Sequence, residues 1–315
     1  MSRRILIDIA QLTDAHREAI SRAAEARGFE AVFTEGGGLS DAEVYFGGNA
    51  AILEAAPSLR WMSVPSAGAD QYLKPVGARG NVLLTNSSGA YGVTIAEHVV
   101  MIALELMRQR MKYVEIVKRR EWVRKLPVRS IKNSRVTMLG TGDIGREIAL
   151  RLRAFGPEVI LGVNRSGRAP EGVFDAVRPL AGLDEVLPET DLLIMSLPGT
   201  PETLKLMDDR RLRLLPEDAF LINVGRGTVL DQGALLTQLQ EGRFAGVGLD
   251  VFEVEPLPAD SPAWDTPRLV TTPHIAGNMT LPYTVDRIVQ LFLENLERYC
   301  DGRPLERLVD AGRGY

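Results

Sequence analysis

Along the chain, short apolar runs alternate with segments whose apolar residues recur every three or four positions. That is the pattern of strands followed by amphipathic helices. Ile5 to Ile9 predicts a strand, Thr13 can cap a helix running to Arg27 that Gly28 closes, and Ala31 to Thr34 predicts the next strand. Val44 to Phe46, Trp61 to Val64 and Asn81 to Leu84 follow as strands, with helical or turn segments between them. An apolar helix is expected from Val93 to Met107, with Ile95, Val99, Ile102, Ala103 and Leu106 at helical spacing, and it leads into a second unit. There the alternation resumes, with strands at Val136 to Leu139, Val159 to Val163, Phe174 to Val177, Leu192 to Ser196, Ala219 to Val224, Ala245 to Val251 and Leu269 to Thr271. Helices are expected at Asp143 to Phe155, Leu183 to Leu187, Pro201 to Asp209 and Gln232 to Glu241; for the third, Thr200 offers a capping hydroxyl and Pro201 suits the first helical position. After Pro282 an amphipathic helix carries Val285, Ile288, Val289, Phe292 and Leu296, and is expected to return to the first unit. The expectation is an α/β protein with two doubly wound parallel sheets. Gly36-Gly37-Gly38 reads as a flexible loop.

One strand-helix junction carries a ligand signal. Gly140-Thr141-Gly142-Asp143-Ile144-Gly145 has the G-x-G-x-x-G spacing between Val136 to Leu139 and the helix at Asp143. Gly140 permits a tight turn, Gly142 lets backbone N–H groups approach a pyrophosphate, and Gly145 lets the helix pack closely on the strand. The positive end of the helix would face the phosphates. NAD sites place a carboxylate at the end of the following strand, but Val159 to Val163 ends in Asn164-Arg165-Ser166-Gly167-Arg168. No carboxylate there repels a 2′-phosphate; Arg165 or Arg168 can pair with one and Ser166 can hydrogen-bond it, so NADP(H) is the expected cofactor, with NAD(H) possible.

Composition narrows the alternatives. With 315 residues, 45% apolar, 25% charged and a net charge of −4, the chain has the make-up of a globular protein of two domains. No basic stripe suits nucleic acid, no apolar run suits a membrane span, and the N-terminus does not read as a signal peptide. A single cysteine, Cys300, fits a reducing compartment such as the cytoplasm and reads as a half-buried structural thiol. The charge-rich segment Arg108 to Asn133, with Trp122, reads as a solvated face or as an arm packing on a second subunit.

Three charged residues follow predicted strands: Arg226 after Ala219 to Val224, Glu255 after Ala245 to Val251, and His274 after Leu269 to Thr271. The carboxyl ends of parallel strands are where ligands bind, so all three are expected beside the cofactor. An arginine can hold a carboxylate bidentately and polarise a carbonyl; a histidine beside a carboxylate can exchange a proton near neutral pH. Together they suit hydride transfer to a 2-keto acid. Of the other histidines, His16 is expected on a surface helix and His98 in a structural role at the start of the apolar helix. The post-strand loops at 65–70 and 85–89 are candidates for substrate contact.

These residues resemble those of the D-isomer-specific 2-hydroxyacid dehydrogenases. The likeness spans nearly the whole chain and rests on Gly140 to Gly145, Asn223-Val224-Gly225-Arg226-Gly227, the stretch Gly248 to Pro258, and Thr272-Pro273-His274-Ile275-Ala276-Gly277. The resemblance implies that Arg226 binds the substrate carboxylate and carbonyl, that His274 is the acid/base, and that Glu255 orients and charges it. It implies cofactor contacts from the glycine turn, Asn164 to Ser166, Leu197, Pro198, Val224 and Gly225, with Asp250 holding the nicotinamide carboxamide. Backbone N–H groups of Ser66, Ala67, Gly68 and Ala69 would meet the substrate carboxylate. The implied architecture is a split flavodoxin-like substrate domain (1–98 with 281–315) around a Rossmann domain (99–280), commonly a dimer, with no metal. The Asn164-Arg165-Ser166 ending resembles the glyoxylate and hydroxypyruvate reductase branch. The expected activity is NADPH-dependent reduction of small 2-keto acids to D-2-hydroxy acids. Alternatives are an NAD-dependent dehydrogenase of a larger D-2-hydroxy acid, or a dinucleotide sensor similar to the dehydrogenase-like corepressors.

Overall fold

The computed structural model describes residues 3–34, 41–168 and 172–310 of the chain, so Gly36 to Gly38 lie outside the described residues. The chain forms two compact units, 1–91 with 278–315, and 92–277.

The first unit has a five-stranded parallel sheet. Its elements are β1 (Arg3–Asp8), α1 (Asp14–Ala26), β2 (Phe29–Phe33), β3 (Val44–Gly47), α2 (Ile52–Ala55), β4 (Trp61–Ser63), α3 (Asp70–Arg79) and β5 (Leu83–Thr85). The strand order β2-β1-β3-β4-β5 is the flavodoxin-like doubly wound order. Thr13 caps α1 as expected, its Oγ1 accepting from the His16 N–H at 3.3 Å while His16 Nδ1 accepts from the Thr13 N–H at 3.2 Å. An imidazole thus takes the part usually played by Glu in a capping box. Gly28 adopts φ +75° just beyond the helix, a conformation that suits glycine.

The C-terminal helix Pro282–Cys300 belongs to this unit, and the apolar face read from the sequence is the buried one. Phe292 stacks on Phe46 with ring centroids 4.1 Å apart and on Trp61 at 5.3 Å. Trp61 satisfies its indole N–H on Thr85 Oγ1 at 2.9 Å, and Tyr299 donates to Glu43 at 2.9 Å. Cys300 at the helix end is half-buried, and burial pushes its thiol pKa up.

The second unit starts with α4 (Gly92–Met107) and α5 (Arg110–Lys118) and continues through β6 (Arg135–Leu139), α6 (Asp143–Arg153), β7 (Val159–Asn164) and β8 (Ala176–Pro179). Then come α7 (Leu183–Val186), β9 (Leu192–Met195), α8 (Asp209–Leu214), β10 (Phe220–Asn223), α9 (Gln232–Gln240), β11 (Gly246–Leu249) and β12 (Leu269–Thr271). All seven strands are parallel, in the order β12-β11-β10-β9-β6-β7-β8. The order reverses between β6 and β9, the crevice where dinucleotides bind in this topology.

The compact units divide at Tyr91/Gly92 and Gly277/Asn278, beside the expected bounds of 98/99 and 280/281, and α4 is one continuous helix seated on the second unit. A Cβ on Gly92 would fall 2.5 Å from Asp143 Oδ2, and one on Gly248 2.4 Å from Ile102, so α4 lies flush against α6 and β11. The helix expected at Pro201 to Asp209 is absent; 201–206 forms turns. Thr203 Oγ1 accepts from the Thr200 N–H at 2.8 Å and reaches the Pro198 carbonyl at 2.7 Å, and Lys205 takes φ +46°. Local hydroxyl bonds and a left-handed residue outcompete a helix there. Asp208 then caps α8, accepting from the Arg211 N–H at 2.8 Å.

The packing of Phe292 predicts that Phe292→Ala destabilises the protein by about 3–5 kcal/mol and Phe292→Leu by much less. Urea unfolding followed by circular dichroism measures both.

Candidate active site

The glycine turn after β6 is shaped by close contacts. Gly140 has φ +103°, and a Cβ there would sit 2.7 Å from Ser196 Oγ; one on Gly145 would sit 2.0 Å from the Gly140 carbonyl oxygen. Both positions therefore require glycine, one for its backbone angle and both for space. Gly142 differs: beyond its own chain neighbours, nothing lies within 4 Å of its would-be Cβ. It is the N-cap of α6, followed by Asp143, Ile144 and Gly145 in the first turn. Open space above a glycine at a helix N-terminus is what a bound pyrophosphate needs, so this turn fits a dinucleotide.

Asn164, at the end of β7, organises its own loop. Its Oδ1 accepts from the N–H groups of Ser166 at 2.9 Å and Gly167 at 2.7 Å, while Nδ2 donates to Thr141 Oγ1 and the Arg168 carbonyl, each at 2.6 Å. The asparagine is thus spent on tying the loop to the glycine turn, and Arg165 and Ser166 are left exposed.

Across the crevice, β9 leads to Ser196, Leu197 and Pro198, and β10 to the 223–227 turn. Val224 donates its N–H to the Met195 carbonyl at 3.0 Å, and Asn223 receives the Gly225 N–H at 3.1 Å and donates to the Arg226 carbonyl at 3.0 Å. A Cβ on Gly225 would meet the Leu197 carbonyl oxygen at 2.6 Å, and one on Gly227 the Phe252 carbonyl carbon at 1.9 Å. The turn is therefore wedged between two neighbouring loops. It carries Arg226 in extended conformation, with Nη1 donating to the Gly225 carbonyl at 2.9 Å.

Glu255 and His274 are brought together. His274 Nδ1 lies 2.7 Å from Glu255 Oε2, while Glu255 Oε1 accepts from the Phe252 N–H at 2.9 Å. Because the carboxylate accepts, Nδ1 carries the shared proton and Nε2 is the other, outward nitrogen of a half-exposed ring. His274 adopts φ +53°, uncommon for a side-chain-bearing residue and held by N–H bonds to the carbonyls of Asp250 at 2.8 Å and Thr272 at 3.0 Å.

Asp250 is 1% exposed and accepts three hydrogen bonds: from Thr272 Oγ1 at 2.6 Å, the Ile275 N–H at 2.9 Å and the Ala276 N–H at 3.0 Å. Its carboxylate holds the His274 loop, a function the sequence did not reveal. His98 adds to this group, with Nε2 at 3.1 Å from Thr272 Oγ1 and 3.8 Å from Asp250 Oδ1. The link between His98 and Thr272 is not legible in the sequence because it is a tertiary contact between residues 174 positions apart.

In the first unit, the Ser66–Ala69 loop follows β4 and enters α3. Ser66 Oγ donates to the Gly68 carbonyl at 2.6 Å, the Ser66 carbonyl accepts from the Ser87 N–H at 2.9 Å, and Tyr91 donates to the Pro65 carbonyl at 2.6 Å. These bonds hold the loop through the carbonyls of Pro65, Ser66 and Gly68. The described residues include no cluster of His, Cys, Asp and Glu able to hold a metal, and no helix long and apolar enough to cross a membrane.

The two kinds of glycine predict different outcomes. Gly227→Ala should cost about 1–3 kcal/mol or more in urea unfolding, since its Cβ overlaps backbone. Gly142→Ala should leave stability within about 1 kcal/mol, its φ of −72° being open to alanine. Dinucleotide affinity, followed by nicotinamide fluorescence, should nevertheless fall for Gly142→Ala.

Residues 100–276 match the family model described as "D-isomer specific 2-hydroxyacid dehydrogenase, NAD binding domain". A glyoxylate/hydroxypyruvate reductase B of Klebsiella pneumoniae is 31% identical over 305 residues, 93% of this chain and 91% of that protein. A D-isomer specific 2-hydroxyacid dehydrogenase of Xanthobacter autotrophicus, solved with NADPH and MES, superposes with a TM-score of 0.84 at 29% identity, covering 100% of both chains. An NADPH-dependent glyoxylate/hydroxypyruvate reductase of Sinorhizobium meliloti, solved with NADP and sulfate, has a TM-score of 0.83 at 29% identity, covering 99% of this chain and 100% of that one. The chain is a member of the D-isomer-specific 2-hydroxyacid dehydrogenase family, an NAD(P)-dependent oxidoreductase acting on small 2-keto and 2-hydroxy acids.

Proposed function

We propose that the protein reduces small 2-keto acids, glyoxylate and hydroxypyruvate foremost, to D-2-hydroxy acids with NADPH. The observation that carries this reading is the 2.7 Å contact of His274 Nδ1 with Glu255, itself held by the Phe252 N–H. An imidazole fixed at Nδ1 by a carboxylate has Nε2 available to give a proton to a carbonyl oxygen as it gains negative charge. Glu255 fixes the orientation of the ring through that Nδ1 contact. Arg226, carried on a turn wedged at both glycines, supplies a guanidinium fork to the substrate carboxylate and keto oxygen. Backbone N–H groups of Ser66 to Ala69 are proposed as further donors to the carboxylate. The reduced nicotinamide supplies the hydride to the keto carbon.

The glycine turn, Thr141, Leu197, Pro198, Val224 and Gly225 are proposed to hold the dinucleotide, with Asp250 toward the carboxamide. The preference for NADPH is supported by the loop that Asn164 organises. An asparagine stands where a ribose-binding carboxylate would repel the 2′-phosphate, and Arg165 and Ser166 are exposed beside it. The reductase names and NADP(H) complexes of the relatives point the same way.

Initial rates with NADPH and NADH, each paired with glyoxylate, hydroxypyruvate, pyruvate and a bulky 2-keto acid, test the reading. Fast turnover is expected with NADPH and the two smallest acids; a preference for NADH would overturn the cofactor assignment, and no turnover with any acid would overturn the activity. His274→Ala should lower kcat by about 10²–10⁴-fold with little change in KM. Arg226→Ala should raise the keto-acid KM by roughly 10- to 100-fold, the loss of a charged hydrogen-bonding partner. Arg165→Ala should raise the KM for NADPH about tenfold or more and leave that for NADH unchanged.

A homodimer in a reducing cytoplasm completes the proposal. Met111, Val117, Trp122, Val123 and Val128 are exposed along α5 and the segment after it, Trp122 by 90%. Exposed apolar surface of this extent suits a subunit contact. Sedimentation should give twice the 34.6 kDa of one chain, and Trp122→Glu combined with Val128→Glu should give monomers.

A further inference from the structure

His98 is a part-buried histidine, its side chain 11% exposed, that the proposed reaction does not use. It lies on α4, which is anchored by Ile102 and Leu106 against Gly248 and Gly246 of β11. Its Nε2 is 3.1 Å from Thr272 Oγ1, which in turn is 2.6 Å from Asp250 Oδ1. The hydrogens in this chain can be placed by counting. A threonine hydroxyl has one hydrogen, and a carboxylate can only accept, so the Thr272 hydrogen points to Asp250. Thr272 Oγ1 must then accept from His98, whose ring carries its proton on Nε2. Burial, opposed by the nearby Asp250 charge, lowers the His98 pKa, in keeping with a neutral ring protonated at that nitrogen.

The downstream end of this chain is the loop that carries His274. Asp250 takes the Ile275 and Ala276 N–H groups with its carboxylate and the His274 N–H with its own carbonyl. His274 adopts its left-handed conformation inside that set of bonds. We infer that His98 is a positioning residue for the reaction: through Thr272 it fixes Asp250 and the 272–276 loop, and so the orientation in which His274 meets Glu255. The fold itself does not call for an imidazole here, since an apolar side chain would fill the site with no polar atom to satisfy. Using the imidazole ties a rigid helix to the one loop whose geometry the proton transfer depends on.

The inference rests on the reading of His274 as the acid/base, and its test includes a measurement independent of turnover. His98→Leu, His98→Gln, Thr272→Val and the His98→Leu/Thr272→Val pair are compared with the wild type. kcat and KM are measured with NADPH and the best keto acid, and amide hydrogen exchange is measured over 270–278. His98→Leu and Thr272→Val should each lower kcat about tenfold with KM changed less than about twofold, the signature of lost orientation. His98→Gln, whose amide can donate at similar reach, should recover to within about threefold of wild type. The pair should be no slower than its slower member, because both changes break one chain. Exchange at Ile275 and Ala276 should quicken about tenfold in His98→Leu and Thr272→Val, but not in His98→Gln, at a similar unfolding midpoint.

Wild-type kcat and exchange in both His98→Leu and Thr272→Val would overturn the inference, as would multiplying effects in the pair or a folded His98→Gln no better than His98→Leu. Should His98→Leu fail to fold, Thr272→Val, which keeps the side-chain shape, decides alone. A wild-type protein that reduces no keto acid would sink the reductase reading, and exchange would then still decide whether His98 holds the loop.

Discussion

A buried carboxylate that must be fully satisfied sets the geometry of the second unit. Asp250 directly follows β11, 1% exposed, and a charge in that position is tolerated only with a complete set of donors. Those donors come from the loop after β12, and its backbone N–H bonds to the Asn223 carbonyl at the end of β10. Three adjacent strand ends are thereby tied at one residue. They are the ends that carry Arg226, Glu255 and His274, so the constraint that keeps an anion stable in the interior also fixes the three proposed functional side chains relative to one another.

Glycines do the complementary work of letting the loops approach. Gly225 sits against Leu197, and Gly227 against Phe252, at distances that leave no room for a Cβ. These contacts bring the loops after β9, β10 and β11 within reach of one another, while Gly140 and Gly145 do the same for β6 and α6. Of the three glycines in the turn after β6, Gly142 alone faces open space. The difference separates glycines required by the fold from the one whose missing side chain leaves room for a ligand.

Much of this was legible in the sequence because period and punctuation are local properties. The C-terminal helix buries the face its apolar spacing marked, Thr13 and Gly28 bound α1 as read, and the three charged residues follow parallel strands. The helix expected at 201–209 is replaced by turns although Thr200-Pro201 is a sound helix start on its own; the Lys205 and Met207 N–H groups bond the Thr228 and Val229 carbonyls at 2.7 and 3.0 Å, partners that exist only once the chain has folded. The division at Tyr91/Gly92 is likewise not legible in the sequence. An apolar helix advertises burial but not the sheet on which it is buried, and the fit of Ile102 over Gly248 is visible only in three dimensions. What the sequence does not show for Asn164, expected as a cofactor contact, is that four of its bonds run to its own loop and the glycine turn.

That last point bears on how cofactor preference is encoded. An asparagine that caps the loop after β7 removes the charge that would oppose a phosphate and spends its hydrogen bonds on holding the loop still. Side chains at the next two positions are then displayed from a fixed backbone and not from a mobile one, which lowers the ordering cost when a ligand binds. On this account a substitution of Asn164 by aspartate would preserve the capping acceptor and could keep Thr141, whose hydroxyl can donate to a carboxylate, while losing the Nδ2 bond to the Arg168 carbonyl. The change would therefore act twice, restoring a repelling charge and setting a carboxylate against the Arg168 carbonyl, so cofactor preference here belongs to the loop as a unit and not to Arg165 alone.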